Sequence, residues 1–279
     1  MTDFLKSFAR SPAGMVGALM LLALILVALF ADILYPGDPW RMAGRPNLPP
    51  FSPGHVFGTD QLGRDIAAGI AHGARMSLII GFVSTVVSVV VGVVVGAVSG
   101  YFSGRVDDVL MRLTEFFQTI PSFMLAIVLV AIFSPSLGSI VAAIAIVSWP
   151  PVARLVRAEF LSLRSRDFVK AARIGGHSHF DIIFRQILPN AFSSVIVMAS
   201  LMVAAAILIE SGLSFLGLGD RNFITWGFMI GAGRTMIRHA WWLSAIPGLA
   251  IFATVLALNL FGQGLSDVLN PRLSRRVRA

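Results

Sequence analysis

FFQTIPSFMLAIVLVAIFSPSLGSIVAAIAIVSWPPVA, residues 116–153, runs for 38 positions without a charged side chain. A helix needs about 20 apolar residues to cross a hydrocarbon core of about 30 Å, so this stretch is nearly two crossings long. Ser134-Pro135-Ser136-Leu137-Gly138 interrupts it near the middle with turn-forming residues. The stretch therefore reads as a tight helical hairpin, and that reading sets the parity of the whole chain.

Four more uncharged runs flank it, at 11–31, 76–104, 186–209 and 239–266. Together they predict six spans, near 13–34, 77–101, 117–134, 138–156, 188–210 and 243–264. Composition agrees: 56% of the 279 residues are hydrophobic and 13% charged, with a mean hydropathy of +0.83. Water-soluble domains carry about 25% charged residues, so an all-α integral membrane protein is expected and a soluble catalytic domain has no room. The first span has a core too long for a cleaved signal peptide, and Leu29-Phe30-Ala31 supplies no A-x-A site. It reads as an uncleaved anchor. The apolar segment 222–233 is too short to cross and suits an interfacial or re-entrant piece.

Six spans put both termini on one side. That side holds fifteen of the 22 Lys and Arg, including Lys6, Arg10, seven within 154–185 and four from Arg272 to Arg278. The opposite side holds seven, from Arg41 to Arg238. The excess places both termini in the cytoplasm. Residues 1–75 then form an anchor span and first outer loop, 76–266 a transmembrane core with a cytoplasmic loop at 157–187, and 267–279 a basic tail. The net charge of +8 suits cytoplasmic flanks and anionic membrane lipid rather than nucleic acid.

Several chemistries are excluded. Without Cys there are no disulfides, thiolate nucleophiles or Cys-ligated metals. Neither Lys6 nor Lys170 sits in a G-x-x-x-x-G-K-[ST] frame, so the chain is expected to hydrolyse no nucleotide and bind no cofactor itself. His177 and His179 are the only close histidine pair; on a helix they would point about 200° apart, and an ordinary solvated loop is the expectation over a metal site. No spacing supports Ser-His-Asp or paired-carboxylate catalysis.

Four sets of residues stand out within or beside the spans. Glu210 ends an apolar run; it is expected to cap or pair with an outer-loop Arg, with a role at a path or interface as the alternative, and Asp32 is read the same way. Ser77, Gly81, Ser84, Ser88, Gly92, Gly96 and Gly100 recur every three or four positions, a winding small-residue stripe that favours helix packing over a path lining. Asn259 and Gln263 share one face of the last span and suit an interhelical hydrogen bond or a solute contact.

Residues 167–190 carry the most information. Asp167 is a plausible N-cap, and Phe168, Ala171, Ala172 and Gly175 fall at i, i+3, i+4 and i+7, giving one narrow apolar face; Lys170 and Arg173 lie on the basic face, and Gly175-Gly176 ends the helix. A short amphipathic helix is thereby offered to the cytoplasm, to enter a groove on another protein or to lie on lipid.

The frame from Lys170 through Ala171, Ala172 and Gly176 to Leu188-Pro189 resembles the EAA loop of ABC-importer permeases, with Lys170 where the family has Glu and Gln186 where the general pattern has Ile. The resemblance narrows through Phe57-Gly58-Thr59-Asp60-Gln61-Leu62-Gly63-Arg64-Asp65, Gly73-Ala74-Arg75-Met76-Ser77-Leu78, Trp149-Pro150 to Ala153-Arg154, Ser214-Phe215-Leu216-Gly217-Leu218-Gly219, Trp226-Gly227 and Asn270-Pro271-Arg272-Leu273. These are similar to the peptide/nickel branch, the C-type permeases of dipeptide and oligopeptide importers.

That resemblance implies the transmembrane fold of type I importers, a bacterial inner-membrane location and a cytoplasmic coupling helix. It also implies a second homologous permease, two ATPase subunits that hold ATP and Mg, and an extracytoplasmic solute-binding protein received by outer loops 35–75 and 211–242. Nickel, glutathione or another small solute is the alternative cargo within the same machinery. The competing class, a self-sufficient channel or secondary transporter, needs ionisable groups or broken helices at mid-membrane, and the mid-span positions are uncharged. The importer reading predicts that Ala172→Asp or Gly176→Trp abolishes coupling to ATP hydrolysis.

Overall fold

Ser11 starts the first helix: its backbone is extended, its hydroxyl accepts from Gly14 N at 3.4 Å, and Pro12 follows with its φ already suited to a helix. Helix α1 covers Pro12–Leu29, and a short helix, Ala31–Leu34, follows it. The computed structural model describes residues 7–269; Lys6, the Asn270-Pro271-Arg272-Leu273 motif and the basic tail through Arg278 lie outside the described residues. An irregular segment then leads to Asp65, whose carboxylate accepts from Ala68 N at 3.0 Å and caps α2, Ile66–Phe102.

Helix α2 is 37 residues long, about 55 Å, and extends the predicted span 77–101 mainly toward its start. The uncharged run stops at Arg75, but the helix does not, because Arg75 Nη2 donates to Asp32 at 2.9 Å and its Nε to Ala28 O at 3.3 Å. The sequence placed Asp32 with an outer-loop Arg, and Arg75 is that partner.

The span predicted at 117–134 is not one helix. Helix α3, Arg105–Thr119, and α4, Ser122–Phe133, meet at a bend of 86°. Pro121 has no N–H to continue the ladder and its ring drives Ile120 to an extended ψ of 127°. The 12 residues of α4 reach about 18 Å, short of a full crossing, and α3, which carries Arg105, Asp107, Asp108, Arg112 and Glu115, turns away from it. Beyond the hairpin turn, where Ser134 adopts φ 65° and Ser136 and Ser139 form a capping box, α5 runs Leu137–Leu163.

The remaining helices of eight residues or more are α6, Asp167–Ile174; α7, Leu188–Phe215, entered through a short helix His179–Asp181 and a π-helical stretch Ile182–Ile187; α8, Trp226–Gly233; and α9, Trp242–Leu269. The described residues form no named strand, only isolated bridges in the first loop and at its junction with α2. Among the described residues five helices are long and apolar enough to cross a membrane, six if the bent pair α3–α4 counts as one span.

Helix α2 is central. A Cβ on Gly92 would lie 2.5 Å from Val152 Cβ, on Gly96 2.4 Å from Ala153 O, and on Gly100 2.6 Å from Phe160 Cβ, so α2 and α5 approach as closely as backbones allow. Farther along the same stripe Gly81 meets Ile207 of α7 and Ser77 accepts from Trp226 N of α8. The winding stripe thus meets three helices in turn. Helix α1 lies against α9, where a Cβ on Gly17 would sit 2.4 Å from Phe261 N, and it leaves Leu19, Leu22 and Ile25 exposed, as a helix apolar all round does in a bilayer.

Candidate functional site

At one end of the bundle α6 starts after Arg166, which is extended and makes no side-chain cap; Asp167, expected as N-cap, is the first helical residue and takes Lys170 Nζ at 3.1 Å instead. The helix stops as expected: Gly175 N donates to Ala171 O at 2.9 Å and Gly176 adopts φ +78°, a region that costs glycine little.

The apolar face is divided. Val169 and Ala172 are buried in a cluster with Val156, Phe160, Ile182 and Ile187. Phe168, Ala171 and Gly175 are exposed, and Ile174 is 89% exposed. Ala172 therefore faces inward and cannot belong to the offered surface, a correction that follows from the 100° step between neighbouring helical residues: an eight-residue helix lying on the bundle shows one side only. Leu188 is partly buried and Pro189 exposed at the start of α7, directly after the π-helical stretch Ile182–Ile187.

Side-chain links tie this loop, and the helix ends beside it, to the bundle. The Tyr101 hydroxyl, buried at the end of α2, shares a 2.7 Å hydrogen bond with His179 Nδ1, and the Arg173 guanidinium lies 5.5 Å from the centre of the Tyr101 ring. Arg164 donates to Tyr101 O at 3.4 Å and to the Ser103 hydroxyl. Arg157 of α5 grips Asp107 of α3 with two bonds, 2.5 and 2.6 Å, while Ser99 donates to the same carboxylate. His179, expected in a solvated loop, is exposed yet bonded, because the turn after Gly176 brings it back against α2.

At the opposite end Gln61 Nε2 donates to Ala232 O at 2.8 Å, fastening the first loop to α8. Trp226 donates through its backbone to Ser77 Oγ at 3.1 Å and through Nε1 to Ile70 O at 3.0 Å. Between loop and helix lies a cavity of about 250 Å³, lined in part by Leu62, Ile66, Phe228, Met229 and Leu243.

Glu210 meets no Arg. It is 1% exposed and accepts from Ser214 at 2.8 Å, Thr225 at 2.7 Å and Ser211 at 3.4 Å. Thr225 also caps α8, accepting from Phe228 N at 3.0 Å, so the carboxylate anchors the start of that helix. The expectation of capping or Arg pairing gives way because a Cβ on Gly227 would lie only 2.5 Å from Ser211 Cα: α8 seals the site before an arginine can reach it. Asn259 Nδ2 donates to Val255 O of its own helix, and both Asn259 and Gln263 are exposed, so neither makes the interhelical bond expected within this chain. Among the described residues no group of three His, Asp or Glu is placed to hold a metal.

Sequence reasoning passed over Tyr101, Arg157 and Asp107. Tyr101 carried a signal, being one of two tyrosines in the chain and the residue next to Gly100 of the stripe. The Asp107–Arg157 pair carried none, since 50 residues separate its members.

The sequence profile of binding-protein-dependent transport system inner membrane components matches residues 92–275, and that of the N-terminal TM domain of oligopeptide transport permease C matches residues 1–50. The chain is 39% identical over 285 residues to the di/tripeptide transport system permease protein DppC of Pseudomonas aeruginosa, covering 97% of this chain and 92% of that one. It is 37% identical to the dipeptide transport system permease protein DppC of Bacillus subtilis, with 98% and 86% covered. Identity to the oligopeptide transport system permease protein OppC of Escherichia coli is 40%, with 96% and 89% covered. The fold is similar to a chain of the MetNI methionine ABC transporter in inward-facing conformations, with a TM-score of 0.60 and 16% identity over 72% of this chain and 96% of that one. An amino acid ABC transporter crystallised with histidines gives 0.53 at 17% identity, covering 76% and 95%.

Proposed function

The chain belongs to the family of binding-protein-dependent transport system inner membrane components, and from that premise we propose that α6 is its coupling helix, gripped by a cytoplasmic ATPase. It is a multi-pass inner-membrane permease subunit of a peptide ABC importer. The chain itself is non-catalytic and binds no cofactor; ATP and Mg sit on two ATPase subunits. It pairs with a second homologous permease, across which Asn259 and Gln263 are available, and its termini are cytoplasmic. The loop 35–65 and α8 then face outward and receive the solute-binding protein.

One observation carries this reading. An eight-residue helix is fastened to the bundle by Val169 and Ala172 and presents Phe168, Ala171 and Ile174 to solvent, a cost in exposed apolar surface that a partner's groove would offset. ATP binding closes the ATPase pair, and because the two permease conformations bind that closed pair unequally, the equilibrium between them shifts. Hydrolysis restores the first.

Ala171→Asp and Gly175→Trp test it at positions that face outward. Each is expected to leave the chain in the membrane with its partner permease while ATPase co-purification falls about tenfold and uptake of dipeptides is lost. Normal ATPase recovery and normal uptake in both variants would defeat the proposal.

A further inference from the structure

Helix α2 touches α8 at one end and the loop that carries α6 at the other, although the chain connects it directly to neither helix. At one end Tyr101 is bonded to His179, which lies past α6 in the loop. At the other, Trp226 of α8 is bonded to Ile70 O and Ser77 Oγ. From Ile70 to Tyr101 α2 is unbroken helix, 31 steps of 1.5 Å or about 46 Å, with no proline inside it.

The covalent routes out of the loop differ. Upstream, α5 contains Pro150 and Pro151, each of which removes a helical hydrogen bond. Downstream, α7 is entered through the π-helical stretch Ile182–Ile187, whose wider hydrogen bonding marks a place where a helix shifts register. The π-helical stretch can take up a displacement of α6, whereas beyond Pro151 helix α5 packs on α2 through Val152, Ala153 and Phe160 and moves with it. The Tyr101 hydroxyl bonds to His179, which is exposed at the start of the short helix His179–Asp181. A bond placed there makes α2 follow the loop.

We infer that the Tyr101–His179 hydrogen bond is the joint by which movement of α6 reaches α8, with α2 as the rod and Trp226 as the far joint. The inference rests on the importer reading above. Tyr101, His179 and Trp226 are positioning residues; none need touch cargo or nucleotide.

The chain has no Cys, so Arg221→Cys, at an exposed position before α8, gives a single reporter. In the assembled complex with partner permease and ATPases, in lipid nanodiscs, maleimide labelling of that cysteine is timed with and without a non-hydrolysable ATP analogue. Tyr101→Phe, which deletes one oxygen, and His179→Ala, on an exposed residue whose loss leaves the core intact, should each shrink the nucleotide-dependent change in labelling rate about threefold or more, as expected for one net hydrogen bond. The double variant should be no worse than either single one. His179→Gln, which keeps a hydrogen-bonding group, should retain at least half the response, while analogue binding to the ATPases stays unchanged in all. A parent complex that assembles but shows no response to nucleotide overturns the importer reading and the joint with it. A responsive parent whose Tyr101→Phe and His179→Ala forms respond equally overturns the joint alone.

Discussion

Along the α2–α5 seam no side chain separates the two helices at Gly92, Gly96 and Gly100, whereas α6 meets the bundle through Val169 and Ala172 and leaves Phe168, Ala171 and Ile174 in solvent. The seam is held by volume: an added Cβ would meet Val152, the Ala153 carbonyl or Phe160 at no more than 2.6 Å. The loop helix is held by two apolar contacts and a few polar ones, and its free side contributes nothing to the stability of this chain. Equal-sized changes in the two places should therefore act on different quantities, folding in one and partnership in the other.

Gly96→Leu gives the largest expected effect. Its new Cβ falls 2.4 Å from Ala153 O, an atom that cannot rotate away, and overpacking of this kind costs about 3 kcal/mol. The melting temperature of the purified chain in detergent should drop by on the order of 10 °C. A drop no larger than that caused by Gly138→Leu, where a Cβ meets nothing, would show that the seam is not tight.

Arg157→Ala comes next, because it leaves Asp107 buried beside Ser99 without its cation, and hydrogen bonds to a charged group are worth about 2 kcal/mol. Arg157→Lys restores the charge without the two parallel bonds and should recover about half of that loss. An Arg157→Lys variant that melts with the parent would show that charge, not the fork, holds α3 to α5.

Glu210→Ala leaves the Ser214 and Thr225 hydroxyls without their carboxylate and should cost about 1 kcal/mol, with Glu210→Gln costing less because an amide oxygen can accept in its place. Limited proteolysis within 216–225 should quicken in the first variant and not in the second. If both behave as the parent, the carboxylate does not anchor α8.

Ala171→Asp should change the melting temperature least of all, within the range of about 0.5 kcal/mol typical of exposed positions, although it removes ATPase recruitment. Ala172→Asp, one residue on, buries a charge and should unfold the loop. A pair of variants with matching melting temperatures would mean that α6 is not oriented as described.

Much of this was legible in residue order. Runs without charge marked the crossings, since lipid tolerates few ionised groups, and the Ser134–Gly138 cluster marked the hairpin. The spacing of Gly92, Gly96 and Gly100 announced a close helix contact, and the frame Ala171, Ala172, Gly176, Leu188, Pro189 located the loop helix and its family. The break at Pro121 was also written there, yet hidden within an apolar run, because a hydropathy count does not register a missing N–H.

By itself the amino-acid order marked the apolar runs that form the membrane-length helices and the short amphipathic helix at 167–174, because both follow from the period of apolar residues and from local backbone preferences. Only the tertiary structure decided that Ala172 turns inward, that Glu210 lies among hydroxyls and that Tyr101 reaches His179. These depend on which helices meet and how closely, and contacts between residues as distant as Tyr101 and His179 or Glu210 and Thr225 leave no periodic trace along the chain.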